Sequence, residues 1–288
     1  MRKISDILVS VTLLLCLTAV CNARELTLSV LPTLIYDEVF NTEAYPLAKH
    51  LASATGLRIR PVVERNIYEY KINLQKGRYD LVFEDPGVGL PANNSYEVIG
   101  IALNRDKEPK QRGVIITATN GGISSVKDMV SRNICVTHMD SEGSYKSQSL
   151  FAGRYGVNIS RDCNVSEVPD NKSENVIMYV YFQDYDAGFV PEFALKELGK
   201  YVVPSQIKII KTEWVPNWIV AVKRDLPVDV KASLRKALLN IRADKNDPLY
   251  VYMYISGFES VSNDMLKELG VGKGVNIDPN YRPDKNVW

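Results

Sequence analysis

The order of strands and helices constrains the fold of this chain most strongly. Between residues 26 and 83, short apolar runs alternate with segments whose apolar residues recur at helical spacing. This order predicts a parallel sheet covered by helices, with ligands beyond the carboxyl ends of its strands. The predicted elements are strands Leu26–Leu31, Leu57–Val63 and Tyr79–Phe83 and helices Glu43–Ala54 and Tyr68–Gly77.

The same pattern restarts in the second half of the chain. Because it occurs twice, we predict an α/β protein of two lobes, each a mostly parallel sheet flanked by helices, with a ligand cleft between the lobes. Residues 24–117 and 219–288 are assigned to lobe 1 and residues 118–218 to lobe 2, with hinge crossovers near 117–121 and 211–218. The elements of the second copy are strands Ile134–His138, Asn164–Val168 and Asp186–Val190 and helices Tyr145–Ala152 and Asn171–Phe182.

The first 23 residues have the features of an export signal. Arg2 and Lys3 precede a short apolar core, and Cys21-Asn22-Ala23 supplies small residues where a signal peptidase cleaves. We therefore predict cleavage after Ala23 and a periplasmic location; the alternative, lipidation of Cys21, is disfavoured by the bulky Val20 before it. Without this segment the chain carries equal numbers of basic and acidic residues, which argues against nucleic acid and against a basic membrane anchor.

Two cysteines remain once the export signal is removed, Cys135 and Cys163. An even pair in an oxidising compartment predicts a disulfide. The chain has only two histidines, His50 and His138, so no structural zinc site is expected and no cofactor is predicted.

The turn Asp140 to Tyr145 lies between a predicted strand and a predicted helix. Free backbone N–H groups at a helix start can meet a ligand oxygen, and the hydroxyls of Ser141 and Ser144 can add to them. The turn's sequence alone also fits a simple N-cap. Its position after the first strand of the second lobe favours a role facing an anion.

Other candidate positions each have a structural alternative. Glu84-Asp85-Pro86-Gly87 follows the third strand and is either a ligand-binding corner or a polar turn. Tyr68 begins a helix and fits packing as well as binding. Trp218, with Trp214 across a proline, fits hinge packing or ligand stacking, and His138 is expected to be structural.

Four segments together resemble the phosphate/phosphite/phosphonate-binding proteins of bacterial ABC importers. Ser141–Tyr145 stands where those proteins have a Ser-Thr-Ser-Gly-aromatic anion loop. Gly77–Val82 resembles the segment before the family's third strand. Gly122–Met129 resembles its "Gly-Ile-x-Ser-Leu-x-Asp-Leu" helix, and Tyr185–Gly188 resembles its "Val-Asp-Ala" strand. The resemblance spans nearly the whole chain after residue 23 and implies the type 2 periplasmic binding fold, which closes on a ligand between two lobes.

The resemblance also implies a set of ligand-binding residues. The family's tyrosine, its aromatic after the third strand, its glutamate and its late aspartate correspond to positions at or near Tyr68, Glu84, Glu192 and Asn217 or Trp218. The chain departs from the family where Glu142 replaces a threonine and where Gly143 and Ser144 invert the Ser-Gly order. The predicted ligand-binding residues are Tyr68, Glu84, Asp85, Ser141, Gly143, Ser144, Tyr145, Glu192, Asn217 and Trp218.

We therefore predict a periplasmic solute-binding protein without catalytic activity, since no motif of a serine hydrolase, zinc protease or phosphate-binding loop is present. The family implies phosphonate or a phosphate-like oxyanion as ligand and a membrane ABC transporter permease as partner. The acidic residues Glu84 and Asp85 keep ligands with an amine or hydroxyl in competition. We expect a monomer. The alternatives are a sensory or accessory binding protein that presents a signal to a histidine kinase, and a periplasmic carrier of a larger apolar ligand with a polar head that serves another envelope transport system.

Overall fold

A computed structural model of the chain describes residues 25–33, 45–89 and 95–262. The predicted export signal at 1–23 lies outside these residues. Within them, two β-sheets flanked by helices confirm the α/β architecture with two lobes. Within the same ranges, no helix is both long and apolar enough to span a membrane.

The first sheet has six strands and forms lobe 1. Its strands are β1 (Leu26–Val30), β2 (Ile59–Val63), β3 (Leu81–Glu84), β4 (Tyr96–Leu103), β10 (Ile219–Lys223) and β11 (Gly257–Glu259), in the order β11-β4-β10-β3-β1-β2. β1 pairs in parallel with β2 and β3, whereas β10 and β11 run antiparallel to their neighbours. Every residue of β3 is buried, so both faces of the sheet are covered at this strand. The helices outside lobe 2 are α1 (Tyr45–Thr55), α2 (Ile67–Gln75), α7 (Val228–Leu239) and α8 (Pro248–Met253).

The second sheet has five strands and forms lobe 2. They are β5 (Lys110–Ala118), β6 (Asn133–Val136), β7 (Asn164–Glu167), β8 (Ala187–Pro191) and β9 (Ile207–Pro216), in the order β7-β6-β8-β5-β9. β6 is parallel to β7 and β8, and β5 is antiparallel to β8 and β9, so both sheets are mixed rather than mostly parallel. The helices are α3 (Ser147–Arg154), α4 (Ile159–Asp162), α5 (Ser173–Tyr181) and α6 (Leu198–Tyr201), and single turns lie at Val126–Met129, Glu142–Lys146, Pro169–Asn171, Glu192–Glu197 and Pro204–Gln206.

The first passage between the sheets lies one strand earlier than predicted. β5 was assigned to lobe 1, with a crossover near 117–121, but it pairs with β8 and β9 in the second sheet. Its apolar residues alternate between two cores: Val114 and Ile116 pack on one face and Ile115 on the other. The chain therefore crosses at 104–109, and it returns at Asn217 and Trp218, between β9 and β10.

The predicted disulfide between Cys135 and Cys163 is wrong, because both cysteines are free. Cys135 packs in the core beneath α5, whereas Cys163 packs against the core on the opposite face of the same sheet. The Sγ of Cys135 lies 3.9 Å from the carbonyl oxygen of Val176, and the Sγ of Cys163 lies 3.2 Å from that of Met129. The sheet between them prevents the two sulfurs from meeting.

The two thiols should differ in reactivity. Burial raises the pKa of Cys135 to about 12, so its thiolate is scarce at neutral pH. We expect iodoacetamide to modify Cys163 slowly and Cys135 not at all in the folded protein, and to modify both after unfolding without reductant. Mass spectrometry of the alkylated protein measures this. If both thiols resist alkylation after unfolding and react only when reductant is added, the disulfide exists in the protein.

Candidate functional site

The turn between β6 and α3 has the geometry of an oxygen-binding helix start. The side chain of Ser141 accepts a hydrogen bond from the backbone N–H of Ser144 at 3.0 Å and caps the turn. The turn Glu142–Lys146 is wider than an α-helical turn and runs directly into α3. Ser141, Glu142 and Ser144 are buried. Such a start leaves backbone N–H groups without intrahelical partners.

A buried amide supports the turn from behind. Gln148 is fully buried, and its Nε2 donates to the carbonyl oxygens of Gly143, Val114 and Val190 at 2.9 to 3.2 Å. The hydroxyl of Ser147 accepts from the backbone N–H of Gly113 at 3.0 Å. The turn is therefore fixed to β5 and β8, which orients its N–H groups toward lobe 1.

The carboxylate of Asp85 receives the donors of this turn. Asp85 follows β3 on lobe 1 and is 2% exposed. Its Oδ1 accepts from the N–H of Glu142 at 2.9 Å, and its Oδ2 accepts from the Oγ of Ser141 at 2.9 Å and the N–H of Gly143 at 3.2 Å. The predicted anion-facing turn thus holds an oxyanion in this structure, and that oxyanion belongs to the chain itself.

Further contacts join the two lobes around this carboxylate. The Nζ of Lys71 lies 3.0 Å from Oδ2 of Asp140, and the hydroxyl of Tyr68 donates to Glu167 at 2.7 Å. At Gly87 the two backbones approach so closely that a β-carbon built there would lie 2.0 Å from the carbonyl oxygen of Asp140. The lobes are therefore in contact across the cleft.

A cavity of about 270 Å³ lies beside the two crossovers. On one side of it Glu192 accepts hydrogen bonds from Arg112 Nε at 3.1 Å and Nη2 at 2.9 Å, and the guanidinium of Arg112 lies over the ring of Trp214. Burial would raise the pKa of Glu192, but hydrogen bonds from Arg112 and Lys211 outweigh it and lower that pKa. The remaining lining residues are Asn104, Arg105, Asp106, Lys110, Gln111, Phe193, Asn217, Met253 and Tyr254.

Gln111 connects this cavity to the turn. Its side chain lines the cavity, and its Nε2 donates to the carbonyl oxygen of Pro216 at 3.0 Å and to Oδ2 of Asp85 at 3.3 Å. Asn104 also lines the cavity, but its Nδ2 is buried away from it and has no hydrogen-bond partner among the described residues. Polar side chains and the aromatic ring of Trp214 therefore line a cavity next to this turn.

The buried carboxyl of Glu142 gives the turn a predicted pH dependence. Burial and the charge of Asp85 raise the pKa of Glu142 above its ordinary value, against the opposing effect of Lys146. The folded chain therefore holds this proton more tightly than the unfolded chain, and stability is lost as the pH rises through the folded pKa. Since Glu142→Gln cannot ionise, we expect its melting temperature relative to wild type to increase from about pH 4 to about pH 8. A difference that stays constant or falls with pH would contradict this.

The structure brings some of the predicted site residues together and separates others. Asp85, Ser141 and Gly143 are in contact, Ser144 lies in the same turn, and Glu192 and Asn217 line the adjoining cavity. Tyr68 stands at the edge of the cleft, where it bonds Glu167. Tyr145 is half-buried and lines a different groove, between α3 and α4.

Two predicted site residues, Glu84 and Trp218, have buried side chains. Glu84 is fully buried and accepts a hydrogen bond from the hydroxyl of Tyr70. Burial and the charge of Glu84 raise the pKa of Tyr70. Trp218 is 2% exposed and packs edge-on against Phe83 and Phe193. Neither side chain lines the described cavity.

Several residues of the site have no recognisable signal in the sequence. Gln111 and Arg112 belong to β5, and their side chains reach Asp85 and Glu192. Gly87 lies in the segment predicted to be a ligand-binding corner or a polar turn, and neither alternative predicts its close backbone contact with lobe 2; Gln148 has no signal of its own. A polar Gln-Arg pair just before a buried apolar strand is the one pattern that could have drawn attention to this position.

Comparisons with known proteins agree with this architecture. Residues 30–266 match the model of a family described as periplasmic substrate-binding proteins of ABC phosphonate transporters. No curated protein matches the chain.

Solved structures with low sequence identity share the fold. A binding protein component of an ABC phosphonate transporter from Pseudomonas aeruginosa superposes with a TM-score of 0.70 at 14% identity, over 85% of this chain and 84% of that one. PhnD1 from Prochlorococcus marinus, in complex with methylphosphonate, gives 0.67 at 17% identity, over 86% and 98%. A Xanthomonas citri protein bound to chloride ion gives 0.65 at 17% identity, over 86% and 96%.

Proposed function

Because the chain belongs to the family of periplasmic substrate-binding proteins of ABC phosphonate transporters, we propose that it captures a small solute carrying an oxyanion between its lobes and delivers it to a membrane permease. Solute binding, rather than catalysis, is the role of this family. The hydrogen bonds from Ser141, Glu142 and Gly143 to the Asp85 carboxylate support an oxyanion ligand most directly. The same donors bind a phosphonate oxygen once the Asp85 side chain has moved away from the turn.

The rest of the solute occupies the adjoining cavity in this proposal. Trp214 offers an aromatic face there, beside the polar side chains of Gln111 and Asn217. Glu192 is already bonded to Arg112 and Lys211, so it is less available to a ligand amine than an unpaired carboxylate is. We therefore favour simple phosphonates, phosphite and phosphate over amino-phosphonates.

Binding of these oxyanions is measured by thermal shift and calorimetry on the protein without residues 1–23. A ligand at about 100 times its Kd adds about 2.7 kcal/mol of stability. We expect methylphosphonate, phosphite or phosphate to give such a shift and Ser141→Ala to lose it, since that variant lacks one donor and the cap of the turn. Ser160→Ala, which removes an exposed serine hydroxyl from the same lobe, is the matched control. Oxyanion binding by Ser141→Ala at wild-type affinity would remove the turn from the site.

The export and assembly of the protein complete this proposal. We expect cleavage after Ala23, release into the periplasm and a monomer in solution, delivering solute to a permease rather than to a histidine kinase. N-terminal sequencing of the exported protein identifies the cleavage site, and light scattering measures whether the protein is a monomer. Pull-down with candidate permease and kinase partners distinguishes the two receivers.

A further inference from the structure

The carboxylate of Asp85 occupies the position at the turn that a solute oxyanion occupies in the proposed function. We propose that Asp85 is a tethered anion: it fills the binding turn when no solute is present, holds the two lobes together, and must be displaced by the solute. The self-closing part rests on the geometry alone, whereas the displacement part rests on the proposed function.

Both oxygens of this carboxylate are fully used. Oδ1 accepts from the N–H of Glu142 on lobe 2 and from the N–H of Gly87 on lobe 1, the latter at 3.2 Å. Oδ2 accepts from Ser141, Gly143 and Gln111 at 2.9 to 3.3 Å. The bond from Gly87 fixes the side chain from its own backbone, as in an Asx turn. Asp85 is thus held in position by lobe 1 and bound by lobe 2.

All of these donors are uncharged. The carboxylate is stabilised by backbone N–H groups, a hydroxyl and an amide, and a charged group buried in this way is held in place by its hydrogen bonds. Backbone N–H groups at a helix start also stabilise bound phosphate-like anions. The same donors therefore serve either Asp85 or a solute oxyanion.

The two anions exclude one another. Three turn donors already bonded to one carboxylate cannot bond to a second anion, and two negative charges at hydrogen-bonding distance from the same groups repel. The charge of Asp85 already contributes to the raised pKa of Glu142. A solute oxyanion therefore binds only when Asp85 swings out, and the apparent affinity equals the intrinsic affinity multiplied by the fraction of molecules in which Asp85 has done so.

Three variants test this inference. Asp85→Ala removes the tethered anion. Asp85→Asn keeps the side-chain size but removes the charge and replaces one oxygen with an NH2 group, which cannot accept hydrogen bonds from the turn. Asp140→Asn is the matched control, because it removes another carboxylate contact between the lobes, that with Lys71, without touching the turn donors. Calorimetry with methylphosphonate gives the affinity, and small-angle X-ray scattering without ligand gives the radius of gyration.

We expect ligand-free Asp85→Ala to have a larger radius of gyration than wild type and to contract when methylphosphonate is added. Its affinity for methylphosphonate should rise at least tenfold, with Asp85→Asn between the two and Asp140→Asn within about twofold of wild type. An equal rise in Asp140→Asn would show general loosening of the lobes and would overturn the inference.

Other outcomes separate this inference from the proposed function. A ligand-free Asp85→Ala as compact as wild type would overturn the tethered closure whatever its affinity. Weaker methylphosphonate binding by both Asp85 variants would show that the carboxylate contacts the solute, and would overturn the displacement. Expansion of Asp85→Ala without binding of any oxyanion to any variant would support the tethered closure and overturn the oxyanion ligand.

Discussion

Replacing Gly87 with alanine is expected to hold the two lobes apart. A β-carbon at this position would lie 2.0 Å from the carbonyl oxygen of Asp140 and 3.1 Å from Nζ of Lys146, both on the opposite lobe. The first of these groups is backbone and cannot move away as a flexible side chain can. Closing on a solute then costs about 3 kcal/mol, typical of an overpacked site, which corresponds to roughly a 100-fold loss of affinity.

Because the lobes also meet at Gly87 when no solute is present, the same variant should open the ligand-free molecule too, while the core within each lobe keeps its stability. Calorimetry and small-angle scattering measure the loss of affinity and the opening together. Gly153→Ala is the control, since a β-carbon there meets no atom within 4 Å. Wild-type affinity in Gly87→Ala would mean that the solute is bound with the lobes in another arrangement.

Replacing Trp218 with alanine is expected to lower the free energy of unfolding by about 3–5 kcal/mol. The indole is 2% exposed and packs against Phe83 at 5.1 Å and Phe193 at 6.1 Å between ring centroids. Phe193 follows β8 of lobe 2, so this aromatic cluster also joins the lobes beside the second crossover. Removing the ring leaves a cavity that the surrounding strands cannot fill.

Urea unfolding followed by circular dichroism measures this effect, and Trp218→Phe provides a smaller aromatic for comparison. We expect Trp218→Phe to recover much of the stability lost in the alanine variant. A Trp218→Ala protein of wild-type stability that had lost solute binding would instead place the indole in the site, as the family resemblance implied.

The fold could be predicted from the sequence to the extent that it depends on local pattern. The alternation of strands and helices gave two α/β lobes, and the strand-turn-helix at Ser141 gave an anion-binding geometry. Adjacent carboxylates in extended backbone point to opposite sides, and Glu84 and Asp85 do so: one faces the core and the other the cleft.

The predictions that were wrong or missing concern features set by contacts between distant parts of the chain. The pairing of β5 with β8 and β9 is set by the cores on both faces of the second sheet, so the crossover could not be located from the strand's own residues. Cysteine number predicted a disulfide, but the sheet separates Cys135 from Cys163. Gln111 belongs to the site only because β5 brings it to Asp85.

The turn donors can be observed directly by nuclear magnetic resonance. Titrating ¹⁵N-labelled protein lacking residues 1–23 with methylphosphonate, and following the backbone amide signals of Glu142 and Gly143, tests whether the solute's oxyanion replaces the Asp85 carboxylate at this turn. We expect these two signals to shift in proportion to occupancy, and to be already displaced from wild-type positions in ligand-free Asp85→Ala. Saturable binding of methylphosphonate that leaves both amide signals unmoved would contradict the account.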